Sequence, residues 1–340
     1  MSDPRRLIVV FLMRRPAPGQ HSVERVFDTV VRALPVDIEP QVIELPHVSK
    51  GVLPRVRNLV FTSRLRADVV HVTGDVYYCA LAIRRQRCVL TILDLVSLTR
   101  LNGWRRKAVE VLWYRLPVWW ARYVTTISEA TQDELLRLIP SASGKVSVVA
   151  CPARDEYLAA QRDTERWPLS RVLQVGTGEN KNVERVFLAL EGLPIHLRIV
   201  GTLSRTQRRL LNESALSFST AENVSDEQML QEYLTSDMLL FASTYEGFGL
   251  PIVEAQAVGL PVVTSNLAPM PEVAGGGALF VDPFSVSAIH CGVERMLDSR
   301  DLALSLIAIG RANARRYEPS AVAELYAAIY RRCCEASRRQ

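Results

Sequence analysis

The sequence predicts an α/β protein with two domains, each a parallel sheet flanked by helices. Short apolar runs recur along the 340 residues, and a helix-like stretch follows each of them. The runs are continuously apolar, which is typical of strands that are covered on both faces. The pattern stops in a charged stretch at 153–170, where Pro168 interrupts the periodicity, and then restarts. A hydrophobic content of 48% is sufficient to fill two cores.

Six apolar runs predict the strands of the first domain, at 6–13, 41–45, 68–72, 88–92, 123–127 and 145–149. Five more runs predict the strands of the second domain, at 171–175, 196–200, 237–241, 261–265 and 278–281. The two domains are expected to be Rossmann-like and to face one another across a cleft. Ligands of open α/β sheets bind at the carboxyl ends of the strands, so functional residues are expected in the loops that follow strands.

The domain boundaries follow from the same pattern. We expect an N-terminal domain over residues 1–160 and a second domain over residues 161–310. No strand run separates the last two predicted helices, at about 301–317 and 319–337. Residues 311–340 are therefore expected to form a helix that packs back towards the N-terminal domain.

Composition excludes several classes of function. The excess of Lys and Arg over Asp and Glu is 41 minus 36, or +5, which favours phosphates or acidic lipid surfaces but is too mild for nucleic acid. The six cysteines form no CxxC pair, which argues against a zinc site or a disulfide framework and indicates a reducing compartment. No apolar run approaches the length of a membrane-spanning helix. We therefore expect a cytoplasmic protein.

The stretch "STYEGFGLPIVEAQAVGLPVVTSN", residues 243–266, carries the strongest local signal. A glycine-rich turn follows a predicted strand and precedes a helix that begins near Pro251 and ends at Gly259. Backbone N–H groups at such a helix start can bind an anion or sugar oxygens. Glu246 precedes the turn, and Glu254 is predicted to lie in the first helical turn. Two carboxylates beside free N–H groups indicate a polyhydroxylated, phosphorylated ligand. Alternatively, Glu246 is an ordinary loop residue and Glu254 only complements the helix dipole.

The segment "YEGFGLPIVEA" resembles the E-x7-E signature of the family 4 (group 1) glycosyltransferases, retaining enzymes of the GT-B fold that use nucleotide-diphosphate sugars. The segment "VLQVGTGENKNVERVFLAL" is similar to the strand, loop and helix with which this family holds the donor diphosphate. The resemblance continues through most of residues 171–283. It implies a GT-B fold for the chain.

The resemblance also implies roles for individual residues. Glu246 would be catalytic through the hydroxyls of the donor sugar, and Glu254 would bind the ribose diol. The remaining donor-binding residues would be Gly176, Lys181, Gly247, Phe248, Gly249 and Leu250. Thr177 stands where many members carry an arginine, so charge neutralisation would depend on Lys181 and backbone groups. A solvated surface lysine is the alternative for Lys181. No cofactor and no metal are expected, since the nucleotide sugar is a substrate.

The N-terminal half matches the family more loosely. Gly19 and Gln20 occupy the position of a loop near the transferred sugar and the acceptor, although a plain strand-to-helix turn is equally consistent. His71 is a candidate for the same region, but its place in an apolar run favours a core histidine. The histidine that the family commonly carries before an aspartate is Leu93 here. Asp94 remains and is the candidate catalytic acid of this half. Ser128 is predicted to cap a helix.

Residues 100–123 interleave basic and aromatic side chains. Such a segment suits a membrane interface or a lipid that carries a diphosphate. The alternative is an amphipathic helix, kinked by Pro117, in which Trp113, Leu116 and Trp120 face the core.

The sequence therefore predicts a retaining glycosyltransferase that moves a sugar from a nucleotide-diphosphate sugar to an acceptor hydroxyl. The acceptor would be a glycan or a lipid-linked glycan in polysaccharide or lipopolysaccharide assembly, reached by peripheral contact with the inner face of the membrane. Two alternatives stay open. Leu93 and Thr177 are also consistent with a sugar-nucleotide-binding subunit without catalysis, and the same fold serves nucleotide-sugar epimerases.

Overall fold

The computed structural model describes residues 6–15, 22–163 and 167–338. The chain forms two compact units: Met1–Pro152 together with Pro319–Gln340, and Ala153–Glu318. The chain leaves the first unit about eight residues earlier than the predicted boundary at 160. Residues 153–162 belong to the second unit because the Ala153 N–H donates to the carbonyl of Tyr317 and Arg162 forms a buried ion pair with Asp237.

The first unit is built on one six-stranded parallel sheet with the strand order β2-β1-β3-β4-β5-β6. Its strands are β1 (Leu7–Met13), β2 (Ile38–Glu44), β3 (Val69–Val72), β4 (Cys88–Ile92), β5 (Tyr123–Thr126) and β6 (Val146–Val148). Its first helices are α1 (Ser22–Arg32), α2 (Val52–Ser63), α3 (Val96–Thr99), α4 (Gly103–Val109), α5 (Leu116–Trp120) and α6 (Glu129–Leu138). Short 3-10 turns lie at Tyr77–Ala82, Arg85–Arg87 and Pro140–Lys145. All six predicted strands of this unit are present.

The second unit has its own six-stranded parallel sheet with the order β12-β11-β10-β7-β8-β9. Its strands are β7 (Arg171–Val175), β8 (His196–Val200), β9 (Ser217–Ala221), β10 (Met238–Phe241), β11 (Val262–Ser265) and β12 (Leu279–Val281). Its helices are α7 (Asp155–Ala159), α8 (Val183–Leu190), α9 (Arg205–Glu213), α10 (Asp226–Thr235), α11 (Leu250–Val258), α12 (Met270–Ala274), α13 (Val286–Asp298) and α14 (Arg300–Ala314). The 3-10 turns of this unit lie at Glu179–Lys181 and Arg315–Tyr317.

The helix α15 (Pro319–Arg338) returns to the first unit. The Tyr330 hydroxyl lies 2.8 Å from Nδ1 of His71, and both side chains are buried. At the surface, Arg331 donates two hydrogen bonds of 2.9 Å to the carboxylate of Asp37. The helix therefore completes the core of the first unit, whereas α14, over residues 300–314, stays in the second.

The segment that carries the basic and aromatic side chains is not a continuous α-helix. A π-helical turn, Glu110–Arg115, separates α4 from α5. Pro117 follows this turn and has no N–H for the regular ladder, which accounts for the local rewinding. Trp113 packs against the core and the Trp120 indole N–H donates to the carbonyl of Ile83 at 2.7 Å. Leu116, however, is exposed, so its predicted place in the core is wrong.

The predicted helix caps are confirmed. The Ser128 side chain accepts a hydrogen bond from the Thr131 N–H and caps α6. Gly259 ends α11 with a left-handed backbone. None of the helices in the described part of the chain is both long enough and apolar enough to cross a bilayer.

Candidate donor site of the second unit

Lys181 and Glu246 meet at the carboxyl ends of neighbouring strands. Lys181 lies in the loop after β7, and Glu246 lies five residues after the end of β10, which pairs with β7. The Lys181 ammonium is 2.6 Å from Oε1 of Glu246. Asn180 donates to the same oxygen at 3.2 Å and to the Tyr245 carbonyl at 2.9 Å. The side chains of Lys181 and Glu246 remain 19% and 13% exposed. Lys181 is therefore paired and mostly covered, and it is not a solvated surface lysine.

The Lys181 stem crosses Gly176 on its way to Glu246. Gly176 has φ +83°, and a Cβ there would lie 2.9 Å from Cε of Lys181. Only glycine satisfies both the backbone and the close approach. The Lys181 ammonium also lies 4.4 Å from the ring centroid of buried Phe241, within the range of a cation–π contact. These neighbours fix where the Lys181 charge is presented.

Glu254 differs from its predicted place. The helix α11 begins at Leu250, so Glu254 is its fifth residue, and the first turn holds no acidic residue. The prediction of a first-turn glutamate is wrong because the helix starts at the residue before Pro251. The helix dipole alone then does not account for Glu254. Instead, its Oε2 accepts a hydrogen bond of 2.8 Å from the hydroxyl of Tyr233 on α10.

The glycine-rich turn between the two glutamates leads directly into α11. Gly249 has φ +112° and occupies the N-cap position without a side-chain cap. Phe248 is buried and packs edge-on against Tyr317 with ring centroids 5.6 Å apart. Gly247 and Leu250 complete the turn. The nine-residue helix thus starts four residues after Glu246 and has no side-chain cap at Gly249.

Two side chains that the sequence analysis did not identify join this site. Arg154 lies 3.5 Å from Oε1 of Glu254 and 3.2 Å from Oδ2 of Asp226. Tyr233 is the hydroxyl donor to Glu254 described above. Arg154 and Glu254 are 100 residues apart, and no local pattern marks the pair. Asp226 and Tyr233 are seven residues apart, which places them on one face of α10 and is a signal that the sequence does contain.

Thr177, which stands where the resemblance leads one to expect an arginine, forms hydrogen bonds within the second unit. Its hydroxyl donates to the Thr202 carbonyl at 2.6 Å, and its own carbonyl accepts from Gln207. Lys181 is the one basic residue of the loop at 176–182, and it pairs with Glu246.

The candidates in the first unit have different environments. His71 lies within β3, is completely buried, and bonds through its two ring nitrogens to Tyr330 and, at 2.6 Å, to Thr91. Burial lowers its pKa to about 3. The prediction that His71 contacts an acceptor is wrong, because a strand residue covered by aromatic rings is a core histidine.

Asp94 lies just after β4, partly buried, and its Oδ1 accepts from the Val96 N–H at 3.0 Å. The N–H of Leu93 donates to the hydroxyl of Tyr77. The catalytic role of Asp94 stays a prediction. Gly19 and Gln20 lie outside the described residues. Across residues 6–15, 22–163 and 167–338, no cluster of three or more His, Cys, Asp or Glu side chains is placed to hold a metal ion.

Sequence comparison finds a known family that is similar to most of the second unit. The family described as "Glycosyl transferases group 1" matches residues 169–313. The O-antigen chain mannosyltransferase B of Escherichia coli is 28% identical over 218 residues, which are 58% of this chain and 57% of that protein. The chain thus spans about half the length of the curated relatives that it matches.

Comparison of structures covers nearly the whole chain. A sucrose-phosphate synthase from Thermosynechococcus elongatus superposes with a TM-score of 0.77 at 18% identity, over 97% of this chain and 100% of that one. The Anabaena protein HepE, in complex with UDP-glucose, superposes with a TM-score of 0.75 at 15% identity, over 95% and 99%. The second unit is therefore similar to the group 1 glycosyl transferases over residues 169–313, and the chain has the GT-B fold.

Proposed function

We propose that this chain is a glycosyltransferase that moves a sugar from a nucleotide-diphosphate sugar to an acceptor hydroxyl, with retention of configuration. The observation that carries the proposal is the meeting of Lys181 and Glu246 at 2.6 Å, four residues before the start of α11, which has no side-chain cap. A cation and a helix amino terminus suit a diphosphate, and an adjacent carboxylate suits sugar hydroxyls.

Each group would then have a defined part in the reaction. Lys181 and the N–H groups at the start of α11 stabilise the charge that develops on the departing diphosphate. Glu246 orients the sugar through its hydroxyls while the anomeric carbon acquires oxocarbenium character. Glu254 accepts from the ribose hydroxyls. These are the proposed donor residues, together with Gly176, Gly247, Phe248, Gly249 and Leu250.

The bond changes balance without a further reactant. The bond between the anomeric carbon and the diphosphate oxygen breaks, and the acceptor oxygen bonds to the same carbon from the same face. The acceptor proton leaves with the diphosphate. The Lys181–Glu246 ion pair gives this scheme a starting state, since a bound diphosphate would take over Lys181 and release Glu246 to the sugar. Asp94, which follows β4, stays a proposed catalytic residue.

The relatives guide the choice of substrates. The matched Escherichia coli protein is an O-antigen chain mannosyltransferase, so mannose is the first sugar to test. A lipid-linked glycan in polysaccharide or O-antigen assembly is the proposed acceptor class. The HepE complex makes UDP-glucose the second donor to test.

A donor panel tests the proposal. Thermal unfolding would be measured with GDP-mannose, UDP-glucose and ADP-glucose, because a ligand that binds only the native state raises the melting temperature. The stabilising donor, radiolabelled in its sugar, is then incubated with membrane-lipid extract as acceptor. Transfer of label supports the enzyme. Binding without transfer or hydrolysis supports the sugar-nucleotide-binding subunit, release of an isomerised nucleotide sugar supports an epimerase, and no shift with any donor contradicts all three.

The first unit carries a surface that suits peripheral membrane contact. It consists of the exposed side chains of α2 and of residues 103–120, joined where the Arg55 guanidinium lies 4.4 Å from the Trp113 ring centroid. Val52 is 77%, Trp104 75% and Trp119 58% exposed. Residues 45–67 contain no acidic residue, and their basic residues are Lys50, Arg55, Arg57, Arg64 and Arg66. We call this the basic-aromatic surface and propose that it rests on the inner face of an anionic membrane.

Vesicle flotation tests this contact. The protein should float with vesicles of phosphatidylcholine and phosphatidylglycerol and stay behind with phosphatidylcholine alone, since basic side chains need anionic lipid. Replacing Trp104 and Trp119 with serine should abolish flotation. The Leu188→Ser variant, which removes a 55% exposed apolar side chain from the second unit, is the matched control and should float as the wild type does. Equal flotation with both lipid mixtures would contradict the proposal.

A further inference from the structure

Two polar side chains of α10 contact the Glu254 carboxylate or its partner Arg154. Asp226 is its first residue, and Tyr233 follows two turns later on the same face. The Tyr233 hydroxyl donates to Oε2 of Glu254 at 2.8 Å, and Asp226 is 3.2 Å from Nη1 of Arg154. Tyr233 thus contacts Glu254 directly, and Asp226 is connected to Glu254 through Arg154.

Arg154 lies near the second oxygen of the Glu254 carboxylate. Its Nη2 lies 3.5 Å from Oε1 of Glu254, and its guanidinium lies 4.4 Å from the ring centroid of Tyr157. Tyr157 in turn packs edge-on against Tyr233, with ring centroids 5.5 Å apart. The Glu254 carboxylate therefore has a phenol at one oxygen and a guanidinium near the other, and those two groups are themselves fixed by Tyr157 and Asp226.

The Tyr233 hydroxyl is held in its donating form. Burial, and then the negative charge of Glu254, raise the pKa of Tyr233 well above its usual value. A neutral phenol donates its proton, so the bond to Glu254 has one direction only. Because both partners come from other elements of the unit, the orientation of the carboxylate does not depend on α11 alone.

We propose that Tyr233 and Arg154 are positioning residues, which hold the Glu254 carboxylate in the orientation that binds the ribose diol of the donor nucleotide. Because the Glu254 side chain is already ordered, it does not lose rotamer freedom when the diol binds. The net free energy of binding is therefore more favourable. A carboxylate has about four lone-pair positions, so a bond to Tyr233 does not by itself exclude hydroxyl donors from a ligand. The inference depends on the proposed function, since it takes Glu254 as the ribose residue.

The test separates ribose recognition from general nucleotide binding. Dissociation constants are measured by calorimetry for GDP and UDP and for their 2′,3′-dideoxy forms. In the wild type, loss of both hydroxyls should weaken binding by about ten- to a hundred-fold, as expected for hydrogen bonds to a charged group. In Tyr233→Phe this ratio should fall to about two- to five-fold, because the carboxylate is no longer held. Glu254→Gln removes the carboxylate itself and should therefore give the lowest ratio between the dissociation constants of the dideoxy and parent nucleotides.

Tyr317→Phe is the matched control, because it also removes a buried phenol hydroxyl of the second unit, one that donates to the Val273 carbonyl at 3.2 Å. Its ratio should equal that of the wild type. If Tyr233→Phe does not fold, Arg154→Gln provides the second variant, and it should lower the ratio in the same direction. A Tyr233→Phe protein that loses affinity for both forms equally, or keeps the wild-type ratio, overturns the inference and leaves the proposed function intact. A wild type that binds neither nucleotide, or that has a ratio of one, overturns both.

Discussion

Polar side chains of the strand regions differ in burial between the two units. His71 lies inside β3, is fully buried, and bonds to two side chains of its own core, Tyr330 and Thr91. Lys181 and Glu246 lie beyond the ends of β7 and β10 and keep part of their surface. Helices and neighbouring strands cover a parallel strand on every side, whereas they leave the loops at its carboxyl end open. Candidates for ligand binding should therefore be sought after the last strand residue and not within the strand.

The largest expected effect is on Glu246. Glu246→Gln should lower the rate of transfer by about two to three orders of magnitude, because the amide cannot replace the carboxylate that orients the donor sugar. The melting temperature should change little, since the side chain is not part of a core. Glu222→Gln, a more exposed glutamate of the same unit that pairs with Arg208, is the control and should keep its activity. Radiolabel transfer measures both variants, and an active Glu246→Gln protein would remove the catalytic assignment.

His71 should affect stability and not transfer. Its folded-state pKa is about 3, below the value of about 6.5 expected in the unfolded chain. As the pH falls from 6.5 towards 3, the unfolded chain takes up a proton that the folded chain does not, so stability is lost. Between pH 7.5 and 4.5 this contributes about 2 to 3 kcal/mol, which His71→Gln should no longer lose.

Urea unfolding followed by tryptophan fluorescence measures this effect, because four of the five tryptophans lie in the first unit. Tyr330→Phe is the control. It removes one partner of the imidazole but keeps the imidazole, so stability should fall while the dependence on pH remains. An unchanged pH dependence in His71→Gln would show that His71 is not the group responsible.

A smaller effect is expected at Gly176. Gly176→Ala and Gly192→Ala place a methyl group on almost the same backbone, with φ of +83° and +82°, and each should cost about 1 kcal/mol of stability. Only at Gly176 does the new methyl meet Lys181; at Gly192 it meets nothing within 4 Å. Donor affinity, measured by calorimetry, should therefore fall about five- to ten-fold in the first variant alone. Equal losses in both would assign the effect to backbone strain.

The smallest effect is expected at Phe241. Phe241→Leu removes the ring face below Lys181, and a cation–π contact of this kind contributes about 0.5 to 1 kcal/mol. The dissociation constant of the donor should rise about two- to five-fold. Phe187→Leu makes the same substitution at another buried core position of the unit and should lower the melting temperature without changing donor affinity, since the cation–π contact of Lys181 is with Phe241.

Apolar patterning predicted most of the fold. Continuous runs such as "CVLTI" identified the buried strands, and Ser128 and Gly259 correctly marked a helix start and a helix end. The strand β9, "SFSTA", was missed because it lies at the edge of its sheet and is partly exposed and polar. Its composition does not differ from that of a loop.

The candidate site was predictable only where its residues are close in sequence. The turn from Glu246 to Glu254 could be located, although the start of α11 was placed one residue too late. The contact of Lys181 with Glu246 depends on the pairing of β7 with β10, and that of Arg154 with Glu254 joins residues 100 positions apart. Such contacts depend on strand order and on long-range packing within the second unit, which no local pattern records.

The return of α15 has a consequence for biosynthesis. Tyr330 is 259 residues downstream of His71, its partner in the first core. During synthesis the second unit emerges from the ribosome before Pro319–Arg338. Until that segment emerges, the core of the first unit lacks the two tyrosines of α15 that pack against Phe11 and Phe27. Of the two units, the one whose strands are translated first is therefore the one that is completed second.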